Sequence, residues 1–480
     1  MDPLTYRAAP AAMRADRHSC LAAPYAATDP RTKRFFELVI SKAGAPVVCG
    51  FAGKLKGKAI YADADLPKNT RVWTEPPYVA MQHELNNRAV PCCQYCFVPL
   101  IGDYKQQWMS MAAQWNERQQ TLHNGEMWPA MATPQDLDDV VERLRVQRRS
   151  CGLAAPAVRC ACGDTYCSKL CQIRAYHEFH AILCPRDDPF SAMRVFMRHT
   201  QETNDIFLLA AKVIARVLSR YLVSQDVIKA REPMDMFHKK PWWEVVMIEK
   251  QVQQRSSNST HTTSSSSGSN DDEDERGERI RDAQSSQNGN DDEIPSPPPQ
   301  ITSSESRFLK DLLVSTHQLL LDALESNLVH LEREDQLQGH SVDEIWTSCA
   351  SILSFEFFAA QLGLFEMNNI RVEIDHPFHA LMEVLDQSNE PRDDYERELF
   401  TRVLSVLQYG EQQRIRAQLD NLERDGMAPD ASHADELIRS GMLRGFPSID
   451  GTALFSIICT MNHSCDPNCT VLYTKNGDAH

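Results

Sequence analysis

The residues with the clearest chemical potential are cysteines and one histidine that recur in close pairs. The pairs are Cys93 with Cys96, Cys160 with Cys162, Cys167 with Cys171, and His180 with Cys184. A C-x-x-C turn presents two thiolates from one bend, and residues four apart share one face of a helix. Because zinc takes four such ligands in a tetrahedron, the pairs predict two closed zinc sites with a structural role.

Two other interpretations of these residues stay open on spacing alone. His177 could replace His180 as a ligand, although an exposed or packing position suits it better, and all of the pairs could be buried free cysteines. The stretch 1–27 has no continuous apolar segment of the kind that directs export. We therefore expect a reducing compartment, where clustered cysteines indicate metal ligands rather than disulfides. Cys92 and Cys151 have no assigned role.

A second group of candidate residues is polar rather than rich in sulfur. It comprises the stretch Asn462-His463-Ser464-Cys465-Asp466-Pro467-Asn468, the turn Lys56-Gly57-Lys58, and Asn368. Glycine allows backbone groups to approach a ligand closely, and asparagine side chains donate and accept hydrogen bonds. The alternative for each group is an ordinary turn, and Asn368 or Asn369 could be a plain turn at a strand edge.

The elements that must position these residues are short strands and many helices. Strands are predicted at 36–40, 59–62, 71–73, 370–374 and 454–472. Helices are predicted at 104–122, 134–149, 192–222, 308–331, 341–364, 377–386, 392–423 and 433–443. Thr133 is the predicted N-cap of the second helix, and Pro134 suits its first position. The pattern predicts an α+β fold in which a small β domain is split by inserted segments.

The composition limits the classes of partner. The net charge is -16, and the segment Asp271–Glu293 alone holds ten acidic and three basic residues, a net of -7. We expect no direct binding to nucleic acid, which needs clustered lysine and arginine, and no membrane span, because no apolar run is long enough. The stretch 255–306 is predicted to be disordered. The expected location is the cytoplasm, the nucleus or both.

The order of the cysteine pairs resembles the MYND zinc finger, a protein-interaction module. The stretch 165–184, TYCSKLCQIRAYHEFHAILC, carries the resemblance, although the family has two residues where only Ala161 separates Cys160 from Cys162. The resemblance implies interleaved zinc sites. One set is Cys93, Cys96, Cys167 and Cys171, and the other is Cys160, Cys162, His180 and Cys184. It also implies proline-rich peptide partners, for which the chain's own 295–299 is a candidate ligand or a plain flexible linker.

The stretch 451–472, with its NHSCDPNC motif, resembles the SET domain of the SMYD family of protein-lysine methyltransferases. The segments 56–62, 75–76 and 367–372 fit the same family, with non-matching inserts at 97–159, 251–306 and 375–450. The resemblance implies transfer of a methyl group from S-adenosylmethionine to a lysine of a protein substrate, histone or non-histone. The alternative is a non-catalytic, zinc-dependent interaction module that binds proline-rich partners.

The resemblance also assigns residues to the methyl donor. They are Lys56, Gly57, Lys58, Asn368, Asn462 and His463. The turn at 56–58 and Asn368 would hold the amino acid end, Asn462 would hold the donor through its side chain, and His463 would meet adenine through its backbone. No catalytic residue is assigned, because the family's catalytic tyrosine is expected beyond His480, and we interpret Tyr473 as a core aromatic residue. The sequence is expected to be truncated rather than naturally non-catalytic.

The predicted architecture is a split SET-type β domain with an inserted MYND zinc finger and a large helical insertion. In chain order it comprises a disordered tail (1–34), the N-terminal SET part (35–91), the MYND finger (92–184) with a helical insert (97–159), a helical insertion (185–250), a disordered acidic and Ser-rich linker (251–306), a helical insertion (307–365), a SET strand (366–375), a helical insertion (376–450) and an incomplete C-terminal SET core (451–480).

Overall fold

The structure is a computed structural model that describes residues 29–122, 131–146, 158–246, 303–374, 393–424 and 448–473, together with residue 479. Most of the predicted linker and the helices predicted at 377–386 and 433–443 lie outside these residues. Within the described part, no helix has the length and apolar character that a membrane crossing requires.

The described strands form small antiparallel sheets. They are β1 (Val47–Phe51), β2 (Lys58–Ala62), β3 (Val79–Gln82), β4 (Val158–Arg159), β5 (Thr165–Tyr166), β6 (Ile370–Ile374) and β7 (Ile449–Leu454). β1 pairs with β2, β4 pairs with β5, and β7 lies between β3 and β6. A Cβ added at Gly451 would lie 2.3 Å from the carbonyl oxygen of Met81, so the approach of β3 to β7 requires a glycine there.

Helices make up most of the described chain. They are α1 (Pro30–Ala43), α2 (Gly53–Lys56), α3 (Glu84–Ala89), α4 (Ile101–Leu122), α5 (Pro134–Val146), α6 (Lys169–Ala175), α7 (Ala181–Leu183), α8 (Ala192–Thr203), α9 (Ile206–Ser224), α10 (Val227–Asp235), α11 (Ser303–Arg333), α12 (Val342–Ser348), α13 (Phe355–Asn368) and α14 (Asp394–Arg424). A π-helical turn, Tyr176–His180, joins α6 to α7, and a 3-10 turn, Ile458–Thr460, follows β7. The mixture of helices and small sheets agrees with the predicted α+β class.

Hydrophobic burial divides the described residues into separate cores. The largest surrounds α9, whose residues Leu209, Val213 and Val217 are fully buried in the same cluster as side chains of α11 and α13. A second core joins α4 and α5 to α14 and contains the buried side chains of Trp108 and Phe400. The β3–β7–β6 sheet contributes a third. The helical spacing read from 192–222 is confirmed, with a break between α8 and α9.

The strand predicted at 36–40 is wrong, because this segment lies inside α1. Asp29 caps the helix by accepting a hydrogen bond of 2.8 Å from the backbone N–H of Arg31, and Pro30 occupies the first position. Gly44 ends the helix in the left-handed conformation, with φ of 61°. The helical residues from position 30 also shorten the predicted disordered tail. The strand predicted at 59–62 is confirmed as β2, whereas 71–73 forms no strand.

Three other predicted elements differ from the structure. The strand predicted at 454–472 ends at Leu454 and gives way to the 3-10 turn. The helix predicted at 341–364 is divided into α12 and α13, because the Ser354 hydroxyl starts a new helix by accepting from the N–H of Phe357 at 3.2 Å. Residues 303–306, assigned to the disordered linker, already belong to α11. At α5, the carboxylate of Asp136 caps the backbone N–H of Thr133 at 2.6 Å, the reverse of the predicted cap.

Candidate functional site

The first thiol cluster consists of Cys93, Cys96, Cys167 and Cys171, whose sulfur atoms all lie within 4.8 Å of one another. The Sγ atom of Cys96 lies 3.5 Å from that of Cys167 and 3.7 Å from that of Cys171. Four sulfurs around a tetrahedral zinc ion, each about 2.3 Å from it, are separated by about 3.8 Å. The cluster therefore has the dimensions of a closed zinc site.

Local backbone geometry brings these thiols together. The N–H of Phe97 donates to the carbonyl of Cys93 at 3.0 Å and closes the turn that carries Cys93 and Cys96. Ser168 caps α6, because its hydroxyl accepts from the N–H of Cys171 at 3.2 Å. This cap places Cys167 just before the helix and Cys171 in its first turn, so that both face the turn at 93–97.

The second cluster consists of Cys160, Cys162, His180 and Cys184, whose ligand atoms also lie within 4.8 Å of one another. The His180 Nε2 atom lies 3.3 Å from the Sγ of Cys160 and 3.7 Å from that of Cys162. Cys160 and Cys184 have their Sγ atoms 3.8 Å apart. The two clusters thus interleave along the chain in the order that the resemblance implies.

A tight loop allows Cys160 and Cys162 to share one site with a single residue between them. The loop joins β4 to β5, and the N–H of Cys160 donates to the carbonyl of Asp164 at 2.8 Å. Gly163 turns the chain with φ of 105°, a conformation that other residues adopt rarely. The N–H of Asp164 donates to the Sγ of Cys162 at 3.4 Å, a hydrogen bond that would stabilise the thiolate of a zinc-bound Cys162.

The π-helical turn explains why His180 rather than His177 reaches the cluster. Its extra residue per turn changes the phase of the helix, so that His180 is buried while His177 is exposed. The carboxylate of Asp164 lies 3.4 Å from the Nδ1 atom of His180. A carboxylate in this place orients a metal-binding imidazole and leaves Nε2 directed at the ion. Sequence reasoning missed Asp164, although its position beside a loop glycine was a usable signal.

Each cluster already favours a thiolate. A hydrogen bond from the thiol of Cys96 lowers the pKa of Cys93, and one from Cys162 lowers the pKa of Cys184. The two donor thiols retain their protons, since the pKa of Cys96 and that of Cys162 are raised. A divalent cation would replace these shared protons, because thiolates are the form that binds zinc. Within the described residues, these two clusters are the groups arranged to hold a metal ion.

The polar candidates meet where the two ends of the described chain come together. The side-chain amide of Asn462 donates to the carbonyl oxygen of Lys58 at 2.9 Å, across 404 positions of sequence. Gly57, the preceding residue, has φ of 63°, and a Cβ added there would meet no atom within 4 Å. The turn between α2 and β2 therefore has open space beside a backbone that only glycine adopts readily.

Asn368 reaches the same region from the end of α13. The predicted strand position is wrong, because Asn368 is the last helical residue and β6 begins at Ile370. Its side-chain amide donates to the carbonyl of His238 at 3.2 Å and to that of Leu364 at 3.0 Å. Burial lowers the pKa of His238, and so do the positive charges of Lys240 and Lys58. Asn368 is thus hydrogen-bonded to a segment whose histidine lies close enough to Lys58 for the charge of the lysine to lower the histidine's pKa.

The ammonium of Lys58 is a candidate cation at this place. Burial lowers the pKa of Lys58 to about 8, and the nearby charge of Lys239 acts in the same direction. Lys240 adds a further cation through its effect on His238. The basic segment His238 to Lys240 escaped the sequence analysis, although its composition is visible there. Lys239 is already paired with Asp235, at 3.1 Å, so of Lys58 and Lys239 it is Lys58 that would attract a carboxylate.

The other two residues predicted to bind the methyl donor make fewer contacts with the junction of Asn462 and Lys58. Lys56 and His463 are exposed, and the His463 Nε2 atom lies 3.3 Å from the Sγ of Cys465. The chain just before Asn462 is bound by Glu75, a residue of the segment 75–76 that the sequence analysis included in the resemblance. The buried carboxylate of Glu75 accepts from the N–H groups of Ile457 and Ile458 at 2.8 and 3.1 Å, and so fixes the turn that precedes the NHS motif.

Tyr473 has the features of a structural residue. Its hydroxyl donates to the carbonyl of Arg371 at 2.6 Å, and its ring lies 6.5 Å from that of Phe455. Burial raises the pKa of Tyr473 to about 12. A phenol that is engaged with backbone in this way is poorly placed to act on a substrate, in agreement with its interpretation as a core aromatic residue.

Comparison with known proteins gives one informative relative. The chain is 32% identical over 107 residues to a protein of Arabidopsis thaliana named histone-lysine N-methyltransferase ATXR2. The match covers 18% of this chain and 23% of the relative, so it spans less than a quarter of the relative's length. No family model matches the chain, and no solved structure matches it. The similarity is confined to this fraction of each chain.

Proposed function

We propose that this chain is an S-adenosylmethionine-dependent protein-lysine N-methyltransferase of the SET type with a MYND finger that holds two structural zinc ions. The observation that carries the proposal is the hydrogen bond from the Asn462 side chain to the Lys58 carbonyl. It joins the NHSCDPNC stretch to the glycine turn, in a chain that is similar to a histone-lysine methyltransferase over 107 residues.

The residues present fit the methyl donor. The donor carries a carboxylate at its amino acid end, which the ammonium of Lys58 would attract. The open space at Gly57 admits a ligand close to the backbone, where its N–H and C=O groups are accessible. Asn462 and Asn368 would complete the site. When bound, the donor supplies a methyl group on a cationic sulfur, which a neutral amine can accept.

In such a reaction the protein aligns the lysine amine with the methyl group and excludes water. A lysine amine must lose its proton and meet the methyl group in line with the bond that breaks, and such alignment supplies much of the rate. The hydroxyl of Tyr473 is engaged with the carbonyl of Arg371, so we assign this tyrosine no catalytic role. We further propose a histone or another protein as substrate, proline-rich peptides as additional partners, and a cytoplasmic or nuclear location.

Ultraviolet cross-linking of a donor labelled in its methyl group tests this proposal. We expect the label to attach to the zinc-loaded chain and to be displaced by S-adenosylhomocysteine but not by ATP or NAD. Peptide mapping should place the label near residues 56–62 or 456–463. Labelling that ATP displaces equally well, or a label confined to α4, α5 and α14, would contradict a donor site at the Asn462–Lys58 junction.

A further inference from the structure

A cavity of about 480 Å³ lies between the first thiol cluster, α9 and the segment that enters β3. Its wall includes Cys96, Cys167 and Cys171, three of the four ligands of that cluster, and each of them is half-buried. Exposed residues such as Pro76 and Arg174 also belong to the wall, so the cavity opens to solvent. A small solute can therefore reach the first cluster without unfolding of the chain.

The second cluster is shielded from this cavity. None of its four ligands is among the described residues of the wall, and both Cys162 and His180 are buried. The two clusters also differ in charge once zinc is bound. Four thiolates leave the first with two surplus negative charges, whereas three thiolates and a neutral imidazole leave the second with one. Because oxidation of cysteine follows exposure and thiolate character, the first cluster is the more reactive of the two.

The sulfur atoms of the half-buried ligands are close enough to join in pairs. The Sγ atom of Cys167 lies 3.5 Å from that of Cys96 and 3.5 Å from that of Cys171, and the remaining pair is 3.7 Å apart. A disulfide bond is about 2.05 Å long, so a shift of about 1.5 Å closes any of these pairs once the metal no longer separates them. An oxidised thiol at this site thus has a second thiol beside it, which is the arrangement of reversible oxidation sites.

We propose that the first cluster is an oxidation site for hydrogen peroxide, at which a disulfide forms and one zinc ion is released while the second cluster retains its own. This inference rests on the two zinc ions of the proposed function and not on the methyl-donor site.

The reaction balances with peroxide as the oxidant. A thiolate of Cys96, Cys167 or Cys171 attacks one oxygen of peroxide, the O–O bond breaks, and a sulfenic acid and a hydroxide ion form. A neighbouring thiolate then attacks the sulfenic sulfur, the S–S bond forms, and the S–O bond breaks to release a second hydroxide. The two sulfurs lose two electrons in total, and peroxide gains them. Two thiolates remain, which are too few for a closed zinc site, so the ion leaves.

Peroxide treatment of the zinc-loaded chain tests the proposal, with released zinc measured by a colorimetric chelator and bound zinc by native mass spectrometry. We expect one of the two ions to leave at least tenfold faster than the other. Peptide mapping should find a disulfide between two of Cys96, Cys167 and Cys171. Reduction with a thiol followed by added zinc should restore two ions.

Matched variants assign the ion that is lost. Cys160→Ser, which retains the first cluster, should lose its remaining ion as fast as the wild type loses its first. Cys171→Ser, which retains the second cluster, should lose its ion at least tenfold more slowly. Cys469→Ser removes an exposed thiol outside both clusters and should release zinc as the wild type does. If either cluster variant fails to fold, the disulfide mapped in the wild-type species with one zinc ion decides.

Three results would overturn the proposal: equal rates of loss for the two ions, earlier loss from the second cluster, or retention of both ions while other cysteines are oxidised. Fewer than two bound ions before peroxide is added would contradict the zinc assignment itself, and this proposal with it. A chain that binds two ions but no methyl donor would contradict the donor site alone.

Discussion

Sulfur spacing is the residue-level feature that most constrains what this chain can bind. In both clusters the ligand atoms approach one another closely while the pKa of one thiol is lowered, which prepares a site for a divalent cation before the cation arrives. The Asp164 carboxylate beside His180 adds the outer contact that zinc-binding histidines usually have. Closed sites of four protein ligands leave no open position, so we expect these ions to stabilise the fold rather than to act on a substrate.

The number of bound zinc ions should depend on each of the two clusters separately. We expect two zinc ions per wild-type chain and one in either Cys171→Ser or Cys160→Ser, because each serine removes a thiolate from a different cluster. Native mass spectrometry measures the number of bound ions directly. Cys349→Ser is the matched control, since Cys349 is buried outside both clusters and should leave two ions bound. One ion in the wild type, or two in both cluster variants, would contradict the assignment.

Lys58 should make binding of the methyl donor depend on pH. Its folded-state pKa is about 8, so the ammonium that attracts the donor carboxylate is present below pH 8 and is lost as the pH rises through that value. We expect affinity to fall about fivefold between pH 7 and pH 9, because a charged hydrogen bond is worth about 1.5 kcal/mol and its loss is still partial at pH 9.

Calorimetric titrations of the wild type and of Lys58→Met across this range check the expectation. The donor's own amino group also titrates over this range. In Lys58→Met only that titration remains, so the variant measures the donor's contribution to the pH dependence by itself. Lys33→Met alters an exposed lysine of α1 and should retain the full pH dependence. If the wild type and Lys58→Met lose affinity in parallel, Lys58 does not contact the donor.

Sequence reasoning succeeded for residues whose partners are near in the chain or arranged in a known order. The close cysteine pairs and their interleaving are of this kind, and the structure brings all eight predicted ligands into their two groups. Asp164 and His238 were missed because their roles come from contacts with other elements. Glu75 was noted without its function, since its partners at Ile457 and Ile458 lie 382 and 383 positions away.

At the scale of elements, caps and tertiary contacts decide where the sequence pattern fails. The segment 36–40 has the β-branched and aromatic residues of a strand, yet Asp29, Pro30 and Gly44 define a helix around it. Conversely, the apolar segment after Leu454 cannot continue as a strand, because its backbone N–H groups at 457 and 458 donate to the Glu75 carboxylate. Long periodic helices such as α4, α11 and α14 were predicted with small errors at their ends.

The contact between α13 and the segment 238–241 should be sensitive to a single methyl group. A Cβ added at Gly363 would lie 1.9 Å from the Lys240 carbonyl oxygen, so Gly363→Ala must displace backbone. The same segment presents the His238 carbonyl to Asn368. We expect a loss of about 1–3 kcal/mol in the free energy of unfolding, together with weaker donor binding.

Thermal melting and donor titration of Gly363→Ala measure the two effects. Gly410→Ala is the matched control, because the atom nearest its added Cβ is the flexible Met111 sulfur rather than backbone. Alanine also favours a helix interior by about 1 kcal/mol, so this variant should be close to neutral. Equal melting temperatures for both variants would show that the α13 contact does not require glycine.

At the scale of the whole molecule, two segments predicted as separate inserts pack together. The inserts 97–159 and 375–450 are distant in sequence, but α4 and α5 pack on α14 around a common core. This core contains Trp108, Val140 and Phe400 and shares no residue with the core around α9. The sequence predicted the helices but not their association, because helical periodicity shows which face is apolar and not which partner covers it.

Phe400→Ala should loosen this helical unit without disturbing the rest. Phe400 is 1% exposed, and truncation of a buried phenylalanine costs about 3–5 kcal/mol. We expect faster hydrogen exchange in α4, α5 and α14 together, with unchanged exchange in β3 and β7 and an unchanged zinc content. Exchange measured by mass spectrometry distinguishes this from faster exchange across every helix, which would show that the unit is not independent.

Isothermal calorimetry of S-adenosylmethionine binding to the zinc-loaded chain, with and without Asn462→Ala, tests most directly whether the two ends of the chain build a methyl-donor site. We predict one donor per wild-type chain. Affinity should fall at least tenfold in the variant, with zinc content unchanged, because the variant frees the Lys58 carbonyl and releases the turn beside Gly57. Absence of binding to the wild type, or equal affinity for both proteins, would contradict a donor site at this junction.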